Sequence, residues 1–326
     1  MMFEDPKENV SMKIFGDFHC SSSIGSPMVQ SPISSSIGSP MVQSPMKIFT
    51  IVQKESFNAT TTKLVIYAPD IAAKAQAGQF LIIKTCENSE RFPLTISDWD
   101  KTGGTITIFF RAAGFSTIEL GRLNVGDQIQ SIAGPLGNPS EVYKYGTAVM
   151  ACGGLGAAAA YPIARALKEA GNKVITLLGA RDKTLFVLEK EFISVSSEVI
   201  YVTDDGSKGQ KGRVTDILKG LIDKKEPIDV VFIIGPSGMM MATSEVTRPF
   251  GIKTISSLNS IMVDGMGMCG ACRITVDGQT KFVCVDGPEF DAHKADFKEL
   301  IQRLKNFVSE EQQALHGGNC QCHNHP

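Results

Sequence analysis

The segment Asp264-Gly-Met-Gly-Met-Cys269-Gly-Ala-Cys272, with Cys284 downstream, constrains this chain more than any other stretch. Its three cysteines are spaced C-x2-C-x11-C, and Gly265, Gly267, Gly270 and Ala271 lie between the ligand-type residues. Residues this small let a backbone wrap closely around a compact object. Iron–sulfur clusters are held by thiolates, normally four. Only three are present, but Asp264 stands five residues before Cys269, where a ferredoxin-like C-x4-C-x2-C spacing places its first cysteine. The favoured reading is a [2Fe-2S] cluster with Asp264, Cys269, Cys272 and Cys284 as ligands. A zinc site wants four N or S ligands in a closed tetrahedron, and no histidine lies between Asp264 and Cys284. A disulfide fits poorly in a reducing compartment. Zinc and plain structural cysteines remain the competing readings.

Length and charge bound the rest. A chain of 326 residues suggests two or three domains with ample material for cores. A net charge of −2 points to neither nucleic acid nor an anionic membrane surface. No apolar run approaches a membrane span, and the acidic start lacks the apolar core of a signal peptide. Eight cysteines without a disulfide-framework spacing make a reducing, cytoplasmic location the expectation. Ser21–Pro32 and Ser34–Pro45 are the same string, SSSIGSPMVQSP, and Met-Lys-Ile-Phe occurs at Met12 and again at Met46. Two copies are too few for a solenoid, and a Ser/Pro-rich repeat buries too little to order itself. Residues 1–45 are therefore expected to be a disordered extension.

From Met46 the texture changes. Short apolar runs alternate with turn signals, as in TTKLVIYAPD, AGQFLIIKTC and GGTITIFFRAA. That rhythm predicts an antiparallel β-barrel or sandwich over 46–141. Two phrases in it look chemical. In Arg91-Phe-Pro93-Leu94-Thr95, the arginine could hold a diphosphate as a planar donor. In Arg111-Ala-Ala-Gly114-Phe-Ser116-Thr117, a strand runs into a helix whose first N–H groups suit phosphate. Taken singly each signal is weak, because a strand arginine is more often a solvated surface residue.

The next stretch, 142–250, alternates strands and helices. Ala148–Cys152 reads as a strand, Gly153-Gly154-Leu-Gly156 as a tight turn, and Ala157–Ala170 as a helix with Pro162 in its first turn. Strands at Val174–Leu178, Val199–Val202 and Val230–Ile234 follow, with helical pieces at Leu185–Phe192 and Val214–Leu221. This predicts an open parallel sheet with helices on both faces. Gly154, Gly156 and Ala159 match G-x-G-x-x-A in the strand–helix setting that receives a pyrophosphate. The acid expected at the end of the second strand is replaced by Gly179-Ala180-Arg181. A second glycine turn, Gly235-Pro236-Ser-Gly238-Met239-Met240, falls at the same strand edge. Tight strand–helix packing is the plain alternative for either turn.

This order of parts resembles the ferredoxin–NADP reductase superfamily, and within it the electron-transfer subunits related to that of dihydroorotate dehydrogenase. The small-subunit family of NADH-dependent reduced ferredoxin:NADP oxidoreductases, also known as the sulfide dehydrogenase beta subunit, is similar from Met46 to Phe307 and has an aspartate at the place of Asp264. The resemblance implies a multi-domain chain: an FAD-binding antiparallel β-barrel at 46–141, an α/β parallel-sheet NAD domain at 142–250, a small [2Fe-2S] domain at 251–292, and a C-terminal helix and tail at 293–326. It implies that Arg91, Pro93, Leu94, Thr95, Gly114, Ser116 and Thr117 line FAD. Gly153, Gly154 and Gly156 would face NAD(H), with Arg181, Asp204 and Asp205 near its adenosine or ribose and Gly235, Pro236, Gly238, Met239 and Met240 closing the nicotinamide side. Arg181 equally suits a 2′-phosphate, so NAD over NADP rests on the resemblance alone. It implies an oxidoreductase that moves electrons between NAD(H) and a larger flavin/iron–sulfur subunit handling NADP(H) and ferredoxin. No acid–base residue is assigned. An electron-transfer role beside a dihydroorotate-oxidising flavoprotein, and a colourless nucleotide- and zinc-binding module, are the alternatives. His293 reads as a surface residue. Phe297, Leu300, Ile301, Leu304, Phe307 and Val308 recur at helical spacing, for packing or docking. The terminal Cys320-Gln-Cys322-His323-Asn-His325 reads as a mobile tail.

Overall fold

The structure, a computed structural model, describes residues 46–58 and 60–317. The expectations for the repeat-containing extension and for the Cys/His tail fall outside these residues. The described residues belong to one compact unit. Seven strands come first: β1 (Ile51–Ser56), β2 (Thr61–Tyr67), β3 (Phe80–Lys84), β4 (Arg91–Thr95), β5 (Asp98–Asp100), β6 (Thr105–Arg111) and β7 (Ser131–Leu136). They pair antiparallel in two sheets, ordered β1-β2-β6-β5 and β4-β3-β7. Alternation explains the pairing. Leu64 and Ile66 of β2 and Ile106 and Ile108 of β6 point inward and are fully buried. Helix α1 (Pro69–Lys74) closes this core with Ile71 and Ala72, and α2 (Phe115–Arg122) with Leu120.

A seven-stranded sheet follows, ordered β11-β10-β9-β8-β12-β13-β16. Its strands are β8 (Thr147–Gly153), β9 (Lys173–Ala180), β10 (Glu198–Thr203), β11 (Gln210–Lys211), β12 (Val230–Ile234) and β13 (Lys253–Ser257), all parallel, with β16 (Glu289–Asp291) antiparallel at the edge. All of β8 is buried, as a strand covered by helices on both faces should be. Helices α3 (Gly156–Glu169) and α4 (Glu189–Val195) cover one face; α5 (Val214–Asp223) and α6 (Ser237–Thr247) cover the other. The chain starts in the middle at β8, runs out to β10, then returns to β12 on the other side. The reversal between β8 and β12 is a topological switch point, where open α/β sheets bind ligands. Pro162 lies in the second turn of α3, not the first, because the helix begins at Gly156. Its ring therefore removes an N–H that would bond the Ala158 carbonyl.

Between β13 and β16 the chain makes the loop carrying Asp264–Cys272, a hairpin of β14 (Arg273–Val276) and β15 (Gln279–Phe282), and α7 (Val283–Asp286). Asp277 and Gly278 both take positive φ in the two-residue turn, the geometry that matches strand twist in a hairpin. Helix α8 (Phe297–Arg303) docks Phe297 and Leu300 in the core, capped by Asp296, whose Oδ1 accepts from the Glu299 N–H at 3.0 Å. The apolar periodicity read through Phe307 and Val308 is broken: Phe307 has φ +66°, is exposed, and precedes a separate helix, α9 (Val308–Gly317). Among the described residues no helix is long and apolar enough to cross a membrane.

Candidate functional site

The switch point is built by glycines in contact. A Cβ on Gly235 would lie 3.0 Å from Cα of Gly153, so the turns after β8 and β12 approach as only glycines can. A Cβ on Gly156 would run into the Ile234 carbonyl, so this glycine serves strand–helix packing. Gly154 differs: its φ is +54° and a Cβ there would meet nothing within 4 Å. It faces an opening.

That opening has two connected parts. One, about 570 Å³, lies between the antiparallel sheets and the switch point. It brings together Pro93, Leu94 and Thr95 from β4, Gly153, Gly154 and Gly156 from the first turn, and Gly235 and Pro236 from the second. The other, about 370 Å³, continues past Gly153 and Gly154 to Arg181 and Asp204 at the ends of β9 and β10, with Pro236, Gly238 and Met239 opposite. Volumes of this size suit extended small-molecule ligands. Asp205 is exposed; its carboxylate is held below its ordinary range by bonds from Ser207, including one from the Ser207 N–H at 2.9 Å.

Several expected residues lie elsewhere. Arg91 is exposed on β4 and lines neither cavity. Gly114, Ser116 and Thr117 also line neither cavity, although α2 begins only a few residues after Arg111. There Thr117 Oγ1 accepts from Gly114 N–H at 3.1 Å, Ser116 donates to Glu90 at 3.1 Å, and the Glu311 carboxylate of α9 sits against Gly114. Met240 is fully buried under the sheet, where its sulfur accepts from Ser256 Oγ at 3.2 Å. His293 is half-buried, with Nε2 2.9 Å from Thr247 Oγ1.

Sequence reading missed three groups. Arg111, at the end of β6, lines both cavities, a role the sequence reading did not give it. Arg213 and Thr215 line the second cavity from the start of α5. Their signal was Gly212-Arg-Val-Thr-Asp216, another helix start at a strand's carboxyl end, where Asp216 Oδ2 accepts from the Arg213 N–H at 2.8 Å.

The cysteine loop packs on the antiparallel sheet. A Cβ on Gly265 would lie 2.7 Å from both Ile82 of β3 and Leu136 of β7. Gly265, Gly267 and Gly270 all take positive φ, which reverses the chain three times over a few residues. Cys272 and Cys284 are buried with their sulfurs 3.3 Å apart, and Cys284 N–H points at the Cys272 sulfur at 3.5 Å. Burial and the neighbouring Cys272 push the Cys284 thiol up to about 12. Cys269 is exposed. Asp264 Oδ1 accepts from Met266 N–H at 2.9 Å and Oδ2 from Cys269 N–H at 2.7 Å, which holds its carboxyl below the ordinary range. With Asp264 turned onto loop amides and Cys269 outward, no three metal-ligating side chains converge among the described residues. Two buried sulfurs beside a glycine-wrapped loop suit part of an iron–sulfur ligand set, and Asp264 and Cys269 do not join them here.

The antiparallel sheets, the doubly wound parallel sheet and the cleft between them define a ferredoxin-reductase-like oxidoreductase with an added cysteine loop. A reductase for cytochrome P450 from Amycolatopsis shares this fold at TM-score 0.53 and 17% identity, over 63% of this chain and 66% of that one. Residues 259–296 match the iron-sulfur cluster binding domain of dihydroorotate dehydrogenase B. A Thermotoga maritima dihydroorotate dehydrogenase B (NAD(+)) electron transfer subunit homolog is 44% identical over 261 residues, 80% of this chain and 92% of its own. The electron transfer subunit from Bacillus caldolyticus is 33% identical over 74% of this chain and 95% of its own. A chain of the NADH-dependent reduced ferredoxin-NADP oxidoreductase, studied for flavin-based electron bifurcation, aligns at TM-score 0.81 and 40% identity, over 84% of this chain and 99% of that one. The chain belongs to the family of dihydroorotate dehydrogenase B electron transfer subunits and their homologues.

Proposed function

We propose that the chain is an FAD/[2Fe-2S] subunit that exchanges electrons between NAD(H) and a larger partner flavoprotein, itself working on NADP(H) and ferredoxin. The observation that carries this is the single cleft holding Pro93–Thr95 opposite Gly153–Gly156 and Gly235–Pro236. It gives a flavin and a nicotinamide adjoining places. When bound, FAD supplies the chemistry: it takes two electrons as hydride and releases them singly.

The chain's own residues hold and orient. Thr95 and Leu94 face the flavin part of the cleft, and Arg111 is placed to pair a diphosphate. Gly153 and Gly154 let a dinucleotide lie close to the backbone. Arg181 and Asp204 meet its adenosine end, with Arg213 beside them. Leu155, Met239 and Pro236 exclude water where the two ligands would adjoin. The wall toward the cysteine loop is apolar: Leu258 and Met262 line the cleft and belong to the same core as Cys272 and Cys284. A cluster held by Asp264, Cys269, Cys272 and Cys284 would thus share an apolar core with the cleft wall. The barrel at 46–141, the nucleotide domain at 142–250, the cluster domain at 251–292 and the C-terminal part at 293–326 divide these tasks. Exposed Val263, Met266, Met268 and Val285 around the loop give the partner an apolar face.

A visible spectrum of the purified chain with iron and sulfide analysis tests the reading. Flavin bands over a broad cluster absorption support it. A colourless protein containing zinc supports the non-redox module instead. The names of the relatives favour a second reading, a partner that oxidises dihydroorotate to reduce NAD. Dihydroorotate-dependent NADH formation by the co-purified complex would establish it.

A further inference from the structure

A third cavity, about 260 Å³, lies between α8 and the cysteine loop and serves none of the roles above. Its floor is apolar, from Leu300, Leu304 and Phe307. Its polar side chains are two guanidiniums, a hydroxyl and the Asn306 carboxamide. Arg303 Nη2 donates to the Ala271 carbonyl at 3.0 Å, and Arg273 Nη1 leans on the Gly270 carbonyl at 3.4 Å. Those carbonyls belong to the two residues between Cys269 and Cys272. Among the described residues neither arginine forms an ion pair. The nearby carboxylates are committed elsewhere: Glu299 accepts from Thr275 N–H at 2.7 Å, and Asp264 accepts from its own loop amides. Ser260, which borders this cavity and the main cleft, is 7% exposed and its Oγ has no hydrogen-bond partner.

Two guanidiniums with spare donors over an apolar floor want a planar anion on a short hydrocarbon stem. A buried hydroxyl without a partner costs free energy until something bonds it. We propose that this cavity is a carboxylate-binding site, taking the carboxylate between Arg273 and Arg303 and its apolar stem against Leu300 and Leu304. The source is either a free organic acid or an acidic side chain of the partner subunit; both present the same group. The proposal depends on no assignment of flavin or nicotinamide, so it fails or survives independently of them.

The test is calorimetric titration of the full chain with succinate, against potassium chloride at matched ionic strength. Saturable one-to-one binding is expected, weakened at least about tenfold by Arg273→Gln and by Arg303→Gln, and unchanged by Arg122→Gln on α2. The Arg273 side chain is exposed, so Arg273→Gln keeps the test valid even if Arg303→Gln loosens α8. Absence of saturable binding, equal heats with chloride, or binding indifferent to both cavity variants overturns the proposal. Repeating the titration on the chain co-purified with its catalytic subunit separates the sources. A site lost in the complex is filled by the partner's side chain; a site retained takes a free acid.

Discussion

The nucleotide cleft and the cysteine loop reach their ligands by opposite routes. The cleft is shaped by packing that exists without any ligand: Gly153 against Gly235, Gly156 against the Ile234 carbonyl, and a fully buried β8 beneath them. The loop has its backbone in place but its ligand-type side chains engaged with one another or with amides, Asp264 on Met266 and Cys269, Cys272 on Cys284. The cleft is therefore a property of the sheet, and sheet stability should govern it. The loop's final shape belongs to whatever it binds, since metal binding and local folding are coupled.

The largest effect that probes this contrast is on the loop. Cys272→Ser should abolish stable cluster incorporation, read as lost iron and lost visible absorption, while the melting of the rest of the chain changes little. A variant with full iron content would remove Cys272 from the ligand set. Gly156→Val should do the reverse. Its side chain collides with the Ile234 carbonyl, so overpacking should cost about 2–4 kcal/mol in a denaturant titration and abolish NADH binding. Retention of both would mean the switch point is softer than its contacts imply.

Next in size is a pH effect at the join between the two regions. Glu289 lies on β16, and its Oε1 accepts from Ser140 Oγ at 2.6 Å. Burial, then the charge of Glu141, pushes its carboxyl from 4.5 to about 7, with Ser140 opposing. A carboxyl whose folded pKa is raised favours the folded state fully below its unfolded pKa, and that advantage is lost as pH rises through about 7. Glu289→Gln should match the parent near pH 5 and be more stable at pH 8 by on the order of 1–3 kcal/mol. Thermal melts at both values check it; equal melting temperatures at pH 8 would show that Glu289 is ionised there without cost. The smallest effect is at Gly154, where a Cβ meets no atom but φ is +54°. Gly154→Ala should cost only about 1 kcal/mol, from backbone strain alone, and a loss as large as that of Gly156→Val would erase the distinction between packing and opening.

The same contrast explains what could be read from the chain. The parallel sheet was legible because β8, β9 and β12 are largely buried apolar runs, and such runs carry their own signal. The turns at Gly153 and Gly235 were legible for the same reason. Arg111 was not, because an arginine ending one strand looks like any other until the strand's neighbour is known. Arg91 and Gly114–Thr117 had the right residue types, yet the cavities lie beside the inner part of β4 and the end of β6. The break at Phe307 was hidden because helical spacing of apolar residues continues through a left-handed residue that a phenylalanine seldom adopts. That Asp264 spends both carboxylate oxygens on its own loop amides was beyond sequence, since loop amides and a metal compete for the same oxygens.

On this reading, one cleft and one loop of the chain together turn hydride into single electrons. Anaerobic titration of the purified chain with NADH, following flavin and cluster absorption together with cluster electron paramagnetic resonance, tests it most directly. NADH is expected to bleach the flavin, and the signal of a reduced [2Fe-2S] centre to grow with it, in the absence of any partner. Flavin bleaching with a cluster that stays oxidised at every NADH level, yet is reduced by dithionite, would contradict it.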